Sequence, residues 1–397
     1  MPHQPSFDDF RPTASWQNLQ FRADMLRHLR EFFDSRGFLE VETPILSADT
    51  VVDRHLDPFS VDVEAAVGSE TRRRRAVVSG QWPVAIKSEI RNQKSEISNS
   101  QSPIPNPQSP GLPVSRSPSL APLAPRMWLQ TSPEFAMKRL LAAGAGPIYQ
   151  IARVFRVDEL GPLHNPEFTL VEWYQPGDDF AAGMQLTADL CETLFQKQNG
   201  GQNYFSASFS PKAERISYGE AFQRYVGVDP HAADGEALKA VAKKLGIETP
   251  ASLSTDDRDG WLDLLLLERI QPRLGVERPT LVYDYPASQA ALARIRQDAG
   301  KPPMAERFEL YIDGVELANG YHELLDPAEL RARNAAANLQ RQADGKSALP
   351  EESRLLAAMD AGLPASVGVA LGFDRLLMAA LGVKTIAEVL AFPFDRA

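Results

Sequence analysis

The sequence predicts an α+β fold, a mixed sheet with helices packed on it. Apolar residues recur at helical spacing near the start and through a long central stretch. Short alternating or β-branched runs lie between and after them, and glycine and proline punctuate the changes.

Taken in order, the first helix covers residues 20–36, where Phe21, Met25, Leu26, Leu29, Phe32 and Phe33 form one face and Gly37 stands at a left-handed cap. A short strand follows at 38–41, and Pro44 ends it. From about 66 to 126 the character changes: four arginines at 72–75 precede a stretch crowded with Ser, Pro, Asn and Gln. We expect a disordered low-complexity insert at a loop tip. Its short echoes, 87–90 against 94–97 and 99–103 against 106–110, are too few to stack as repeats. The arginine run reads as a solvated segment, and no chemistry is assigned there.

Beyond the insert, an apolar segment from Met127 leads into a helix at 133–143, with Phe135, Leu140 and Leu141 on its buried face. Residues 148–157 and 169–173 read as strands. Residues 179–274 read as mostly helical, with breaks near Gly200 and Pro250, and from Thr280 strands return before a final helix after Gly372. The expected organisation is a tail at 1–18 and one domain at 19–397, interrupted at 66–126.

A chain of 397 residues, 43% hydrophobic, can bury a substantial core. Its net charge of -10 argues against broad contact with nucleic acid, which depends on neutralising phosphates. The lone Cys191 gives neither a disulfide framework nor a thiolate metal site, and the six scattered histidines lack zinc spacing. No apolar run approaches the about 18 residues of a membrane span, and the N-terminus carries Asp8 and Asp9 in place of an apolar core. A cytoplasmic protein with no membrane partner is expected.

Common phosphate motifs fail, since Gly345-Lys346-Ser347 is preceded by Gln340 where a P-loop needs glycine, and no Gly-x-Gly-x-x-Gly follows a strand. Three other segments stand out. Residues 37–46 join a helix cap, a strand and a proline. Residues 155–174 form a strand, loop and strand that gather Arg156, Asp158, Glu159, His164, Asn165, Glu167 and Glu172 around a turn. In 368–376 small residues let a backbone approach a ligand, and Arg375 opens a helix.

In this order and spacing the three segments resemble the motifs of class II aminoacyl-tRNA synthetases. Thr131-Ser132-Pro133-Glu134, residues 164–168 and residues 316–323 resemble the lysine subgroup. Within it, Pro286-Ala287-Ser288-Gln289-Ala290 and the ending 391–397 resemble the paralogues that ligate (R)-β-lysine to translation elongation factor P. About twenty residues precede the first helix, where a lysyl-tRNA synthetase carries an anticodon-binding OB-fold of about 100 residues. No stable tRNA partner is therefore expected.

The resemblance implies a mixed, mostly antiparallel sheet flanked by helices, a homodimer through 37–44, and ATP and Mg2+ in use with (R)-β-lysine or lysine. It implies that Arg156 contacts the α-phosphate and Arg375 the far end of a bent triphosphate. Val157, Asp158, Asn165, Leu317 and Gly372 would surround the nucleotide, and Glu309 and Glu316 would hold magnesium. The chain must bend between those carboxylates for both to face the phosphates. Ser132, Pro133, Glu134 and Asn319 would hold the reacting end of the amino acid, Glu323 and Tyr174 its side-chain ammonium, and Ala370 would fill space beside it. His164 and His322 are expected to be structural.

Two positions depart from the pattern. Asp158 stands where the second motif usually has Glu, and Ala370 replaces a glycine of true lysyl-tRNA synthetases. Two other activities compete with this reading, a stand-alone tRNA-charging enzyme and a non-catalytic regulatory relative. Retention of Arg156, Glu309, Glu316 and Arg375 argues against the second.

Overall fold

The computed structural model describes residues 10–62, 126–196 and 209–397. The disorder expected at 66–126 and the break near Gly200 lie outside them, apart from Arg126. Contact density divides the chain into a large unit, residues 1–59 with 129–397, and a small one, residues 60–128.

In the large unit, helix α1 runs Trp16–Asp34, four residues longer at its start than the apolar spacing predicts. The reason is Ser15, whose side chain accepts a hydrogen bond from the Asn18 N–H (3.1 Å) and caps the helix. Phe21, Met25, Leu29, Phe32 and Phe33 are buried as expected, and Gly37 takes φ +77°. Strands β1 (Leu39–Glu40) and β2 (Leu46–Ser47) follow. In the small unit, β3 (Ser60–Asp62) runs antiparallel to the start of β4 (Arg126–Leu129), with Asp62 opposite Arg126.

Helix α2 is Glu134–Ala142, burying Phe135, Met137, Lys138 and Leu141, with Leu140 only half-buried. Strands β5 (Ile148–Phe155) and β6 (Glu167–Pro176) form the expected hairpin, and helix α3 is Phe180–Gln196. The mostly helical stretch then contains a strand the sequence reading missed, β7 (Glu214–Ser217). Helices α4 (Tyr218–Tyr225), α5 (Gly235–Lys244) and α6 (Arg258–Leu265) complete it. Strands β8 (Thr280–Pro286), β9 (Ile295–Arg296), β10 (Met304–Ile312) and β11 (Val315–His322) follow. Two helices that were not anticipated, α7 (Pro327–Ala343) and α8 (Arg354–Ala361), precede β12 (Ser366–Gly372) and the expected last helix, α9 (Phe373–Leu381).

The main sheet is ordered β1-β5-β6-β12-β11-β10-β8-β7, with β9 also on β10. Its pairs are antiparallel except β1 with β5 and β7 with β8. Because side chains alternate across a strand, Val171, Trp173, Val367, Val369 and Leu371 enter one core with α1, α3 and α9. The intervening residues of β6 and β12 face the other way, and there the candidate site lies. Among the described residues no helix is long and apolar enough to cross a membrane.

Candidate active site

Strand register sets the floor of a cavity of about 670 Å³. Glu172 of β6 stands opposite Ala370 of β12, Ala370 opposite Asn319 of β11, and Asn319 opposite Glu309 of β10. The neighbouring row is Tyr174, Gly368 and Tyr321. Segments expected to carry chemistry, far apart in sequence, thus become adjacent positions on one sheet face.

Of the residues singled out from sequence, Ser132, Glu134, Arg156, Asn165, Glu316, Leu317, Asn319, Ala370, Gly372 and Arg375 line the cavity. The two arginines have separate neighbours. Arg156 faces Glu159 at 3.3 Å and lies over the Phe168 ring at 5.0 Å. Arg375 donates to the Glu316 carbonyl (3.0 Å) and meets His164 Nε2 at 2.5 Å. Burial, and then Arg375, hold His164 below the ordinary imidazole range, so its Nε2 accepts from the guanidinium.

Six expected residues do not reach the cavity wall. Pro133 is buried at the N-cap of α2. The Val157 N–H donates to the Asp57 carbonyl (2.8 Å). Asp158 takes φ +64° with its side chain exposed, and its neighbour Glu159 is the carboxylate that lines the cavity. The sequence-level concern over Asp in place of Glu at 158 thus falls on a side chain outside the cavity. Asn165 does line it, but its amide is engaged by its own chain, donating to Glu167 O (2.6 Å) and accepting from Phe394 N (2.9 Å).

Tyr174 and Glu323 lie buried against Gly368, where an added Cβ would stand 2.3 Å from Tyr174 Cε1 and 2.1 Å from Glu323 Oε1. Glu309 is also buried, accepting from Tyr285 (2.6 Å), Tyr311 and Arg307. The bend required between Glu309 and Glu316 exists: β10 and β11 join through Asp313 and Gly314, both at positive φ, as a tight hairpin turn demands. A register shift after Leu310 adds to it.

Electrostatics divides the cavity. Burial, and then Glu134, push the Glu172 carboxyl up to about 8, against hydrogen bonds from Ser132 (2.6 Å) and Tyr174 (3.3 Å). Burial likewise lifts Glu323 to about 8, opposed by Lys138. Burial and the nearby charge of Glu309 push Glu316 up to about 7. Two carboxylates that share a partly dry space are suitable donors for a hard divalent ion. Among the described residues no group of three or more His, Cys, Asp or Glu could hold a metal by itself, so substrate phosphates would have to complete its shell.

Of the other wall residues, Glu159, Glu172 and Tyr321 fall within the segments singled out from sequence but received no role there, and Arg307 and the segment 51–56 were missed. Glu172 had a signal, a carboxylate inside the apolar run Leu170, Val171, Trp173. Segment 51–56 had none, because it is held by side chains of α7. Buried Arg341 donates to the carbonyls of Asp53 (2.8 Å) and Leu56 (3.0 Å) and to Asp57 Oδ1 (2.6 Å).

A family model described as tRNA synthetases class II (D, K and N) matches residues 4–69 and 118–396. The chain is also similar to the elongation factor P--(R)-beta-lysine ligase of Proteus mirabilis (strain HI4320). They are 40% identical over 389 residues, covering 98% of this chain and 98% of that protein.

Proposed function

The chain belongs to the class II tRNA synthetase family of the aspartate, lysine and asparagine enzymes, and we propose that it is an ATP-dependent ligase that transfers (R)-β-lysine or lysine to elongation factor P. The observation that carries this reading is the polarity of one cavity, with carboxylates Glu134 and Glu172 and amide Asn319 on its floor and Arg156 and Arg375 among its walls. A molecule with ammonium groups at one end and a carboxylate meeting a polyphosphate at the other matches that division.

In the first step an oxygen of the amino-acid carboxylate bonds to the α-phosphorus of ATP, and the bond to the departing pyrophosphate breaks. A carboxyl of reference pKa about 3.5 is already ionised at neutral pH, so no general base is needed. The chain's task is positioning and charge compensation. Arg156 supplies positive charge at the α-phosphate, and Arg375, braced by His164 and the Glu316 carbonyl, at the far phosphates. Glu309 and Glu316 would hold Mg2+, which when bound neutralises charge on the phosphate oxygens. For Glu309 this requires its carboxylate to turn from Tyr285, Tyr311 and Arg307.

Glu134, Ser132 and Asn319 hold the reacting end of the amino acid. Glu323 and Tyr174 lie behind the floor as counter-groups for the side-chain ammonium, and Glu172 joins them. In the second step an acceptor lysine amine bonds to the activated carbonyl carbon, the bond to AMP breaks, and the amine loses a proton. A homodimer through 37–44 is part of this proposal, supported by Leu39 within it, 63% exposed, and by Ile45 just after it, 45% exposed. The buried, unpaired Cys191 suits a reducing cytoplasm.

The test is the intact mass of elongation factor P after incubation with the enzyme, ATP, Mg2+ and (R)-β-lysine. A gain of one lysyl unit is expected. Pyrophosphate release without modification would remove elongation factor P as the acceptor and turn the search to tRNA.

A further inference from the structure

Lys138 is a lysine where burial alone would forbid a charge. It sits on α2, is 2% exposed, and does not line the cavity. Its Nζ lies 2.5 Å from Glu134 Oε1, one helical turn earlier, and 2.5 Å from Glu323 Oε2, at the end of β11. Burial works against this ammonium, yet Glu134 and Glu323 together hold it well above the ordinary lysine range. Lys138 is therefore an internal cation fixed by two of the carboxylates assigned to the substrate.

We propose that Lys138 is a positioning residue for the substrate amines: its buried ammonium clamps Glu134 and Glu323 together and leaves the second oxygen of each for an incoming ammonium. This rests on the amino-acid-activating reading above. Each carboxylate gives Lys138 one oxygen, Oε1 of Glu134 and Oε2 of Glu323. Glu323 Oε2 is buried and makes no hydrogen bond of regular geometry, so the ion pair is its compensation. Its Oε1 lies against Gly368, the position on the floor that a side chain would fill.

Charge counting gives the same result. Burial already favours the neutral acid at Glu323, and Lys138 opposes it. Without the lysine, Glu323 and Glu134 would face each other uncompensated, and protonation would be the cheapest relief. A protonated Glu323 no longer offers an ammonium a counter-charge. The groups facing this cluster are Glu134, Glu172, Glu323, Tyr174, Tyr321 and Lys138. Counted by ion pairs alone, two carboxylates against the one Lys138 ammonium leave the cluster one positive charge short, the charge an incoming substrate ammonium supplies.

The experiment compares the full-length enzyme with Lys138→Met and Lys138→Arg in binding and ATP–pyrophosphate exchange, using lysine, (R)-β-lysine and norleucine, which lacks the side-chain ammonium. Lys138→Met should raise the amino-acid KM about 10- to 100-fold, the loss of a charge-assisted contact, with the KM for ATP unchanged. Preference for lysine over norleucine should collapse, and the amino-acid KM of the variant should fall with rising pH as Glu323 ionises, over a range higher than in the wild-type enzyme. Lys138→Arg should retain the preference. If Lys138→Met does not fold, Lys138→Arg decides by the same preference, and its loss there in a folded protein overturns the proposal. A Lys138→Met enzyme with unaltered preference and a flat pH profile would make the lysine a structural ion pair only. If the wild-type enzyme itself binds no lysine-class substrate, the activity reading falls and takes this inference with it.

Discussion

A Cβ added at Gly368 would stand 2.1 Å from Glu323 Oε1 and 2.3 Å from Tyr174 Cε1. Both neighbours are buried, so Gly368→Ala must displace the pair that lies under the floor. We expect a loss of about 1–3 kcal/mol in stability from overpacking. The amino-acid KM should rise at least about tenfold while the KM for ATP is unchanged, because each lost charge-assisted contact is worth about that much. Steady-state exchange kinetics and urea unfolding would check both, and an unchanged amino-acid KM would separate Glu323 from substrate binding. At Glu172 the expectation concerns pH. Its carboxyl is raised from an ordinary 4.5 to about 8, so between those values the folded protein keeps a proton that the unfolded chain has released. Stability from this group is therefore full below about pH 4.5 and declines as pH rises toward about 8, by at most about 1.4 kcal/mol per unit. Glu172→Gln should lessen the fall in unfolding free energy expected between about pH 4.5 and about pH 8 in the ligand-free enzyme. An identical slope in the variant would mean that Glu172 titrates as an ordinary carboxylate. Arg156, Glu134, Asn319 and Arg375 were legible in sequence because motif spacing carries them. Lys138 was not, since beside Glu134 it reads as a routine surface pair one helical turn apart, and only the fold brings Glu323 to it. The positive φ at Asp158, which sends its carboxylate outward and leaves Glu159 on the wall, is equally a property of the folded turn.

Between elements, the clearest joint is Asp374 in the first turn of α9. Its Oδ2 accepts from the Thr169 N–H (2.7 Å) on β6, and its Oδ1 from Arg22 of α1, which also donates to Thr169 Oγ1 (2.8 Å). One carboxylate thus ties a strand and two helices together and sets the start of the helix that carries Arg375. Asp374 is 2% exposed, and Asp374→Asn leaves the Arg22 charge without its partner. A loss of about 3 kcal/mol is expected from breaking such a buried pair. The KM for ATP should rise, because Arg375 is the next residue on the displaced turn. Urea unfolding and nucleotide titration would test this, and unchanged stability would exclude the joint. The elements found from sequence were those whose buried face is apolar. Helix α7 escaped because its buried positions are Leu330, Asn334, Asn338 and Arg341, a polar stripe that a hydrophobic period does not detect. Strand β7 escaped because four residues on the edge of the sheet are too few to show an alternation.

That polar stripe serves the large unit as a whole. Asn334 donates to the Glu351 carbonyl (2.9 Å) and Asn338 to Leu349 (2.9 Å), which anchors α7 to the segment behind it. Arg341 then reaches forward to the carbonyls of Asp53 and Leu56 and to Asp57, while Lys346 adds a second ion pair to Asp57 (2.8 Å). Segment 51–56 is one wall of the cavity, so its placement is inherited from a helix whose own anchorage lies elsewhere. Because the bonds to Asp53 and Leu56 run to their carbonyls, no substitution within segment 51–56 would remove them, whereas Arg341→Met would remove all that the guanidinium makes. Amide exchange at residues 53–57 should then accelerate while exchange in the β6, β11 and β12 strands stays slow. Since the loosened wall borders the whole cavity, KM should rise for ATP and for the amino acid together, unlike the amino-acid-specific loss expected at Gly368. A fall of about tenfold in kcat/KM for both substrates is the expected size, the effect of about 1.4 kcal/mol of lost preorganisation. Accelerated exchange with unchanged kinetics would show that this wall only covers the site, and an increase in one KM alone would confine its contact to that substrate.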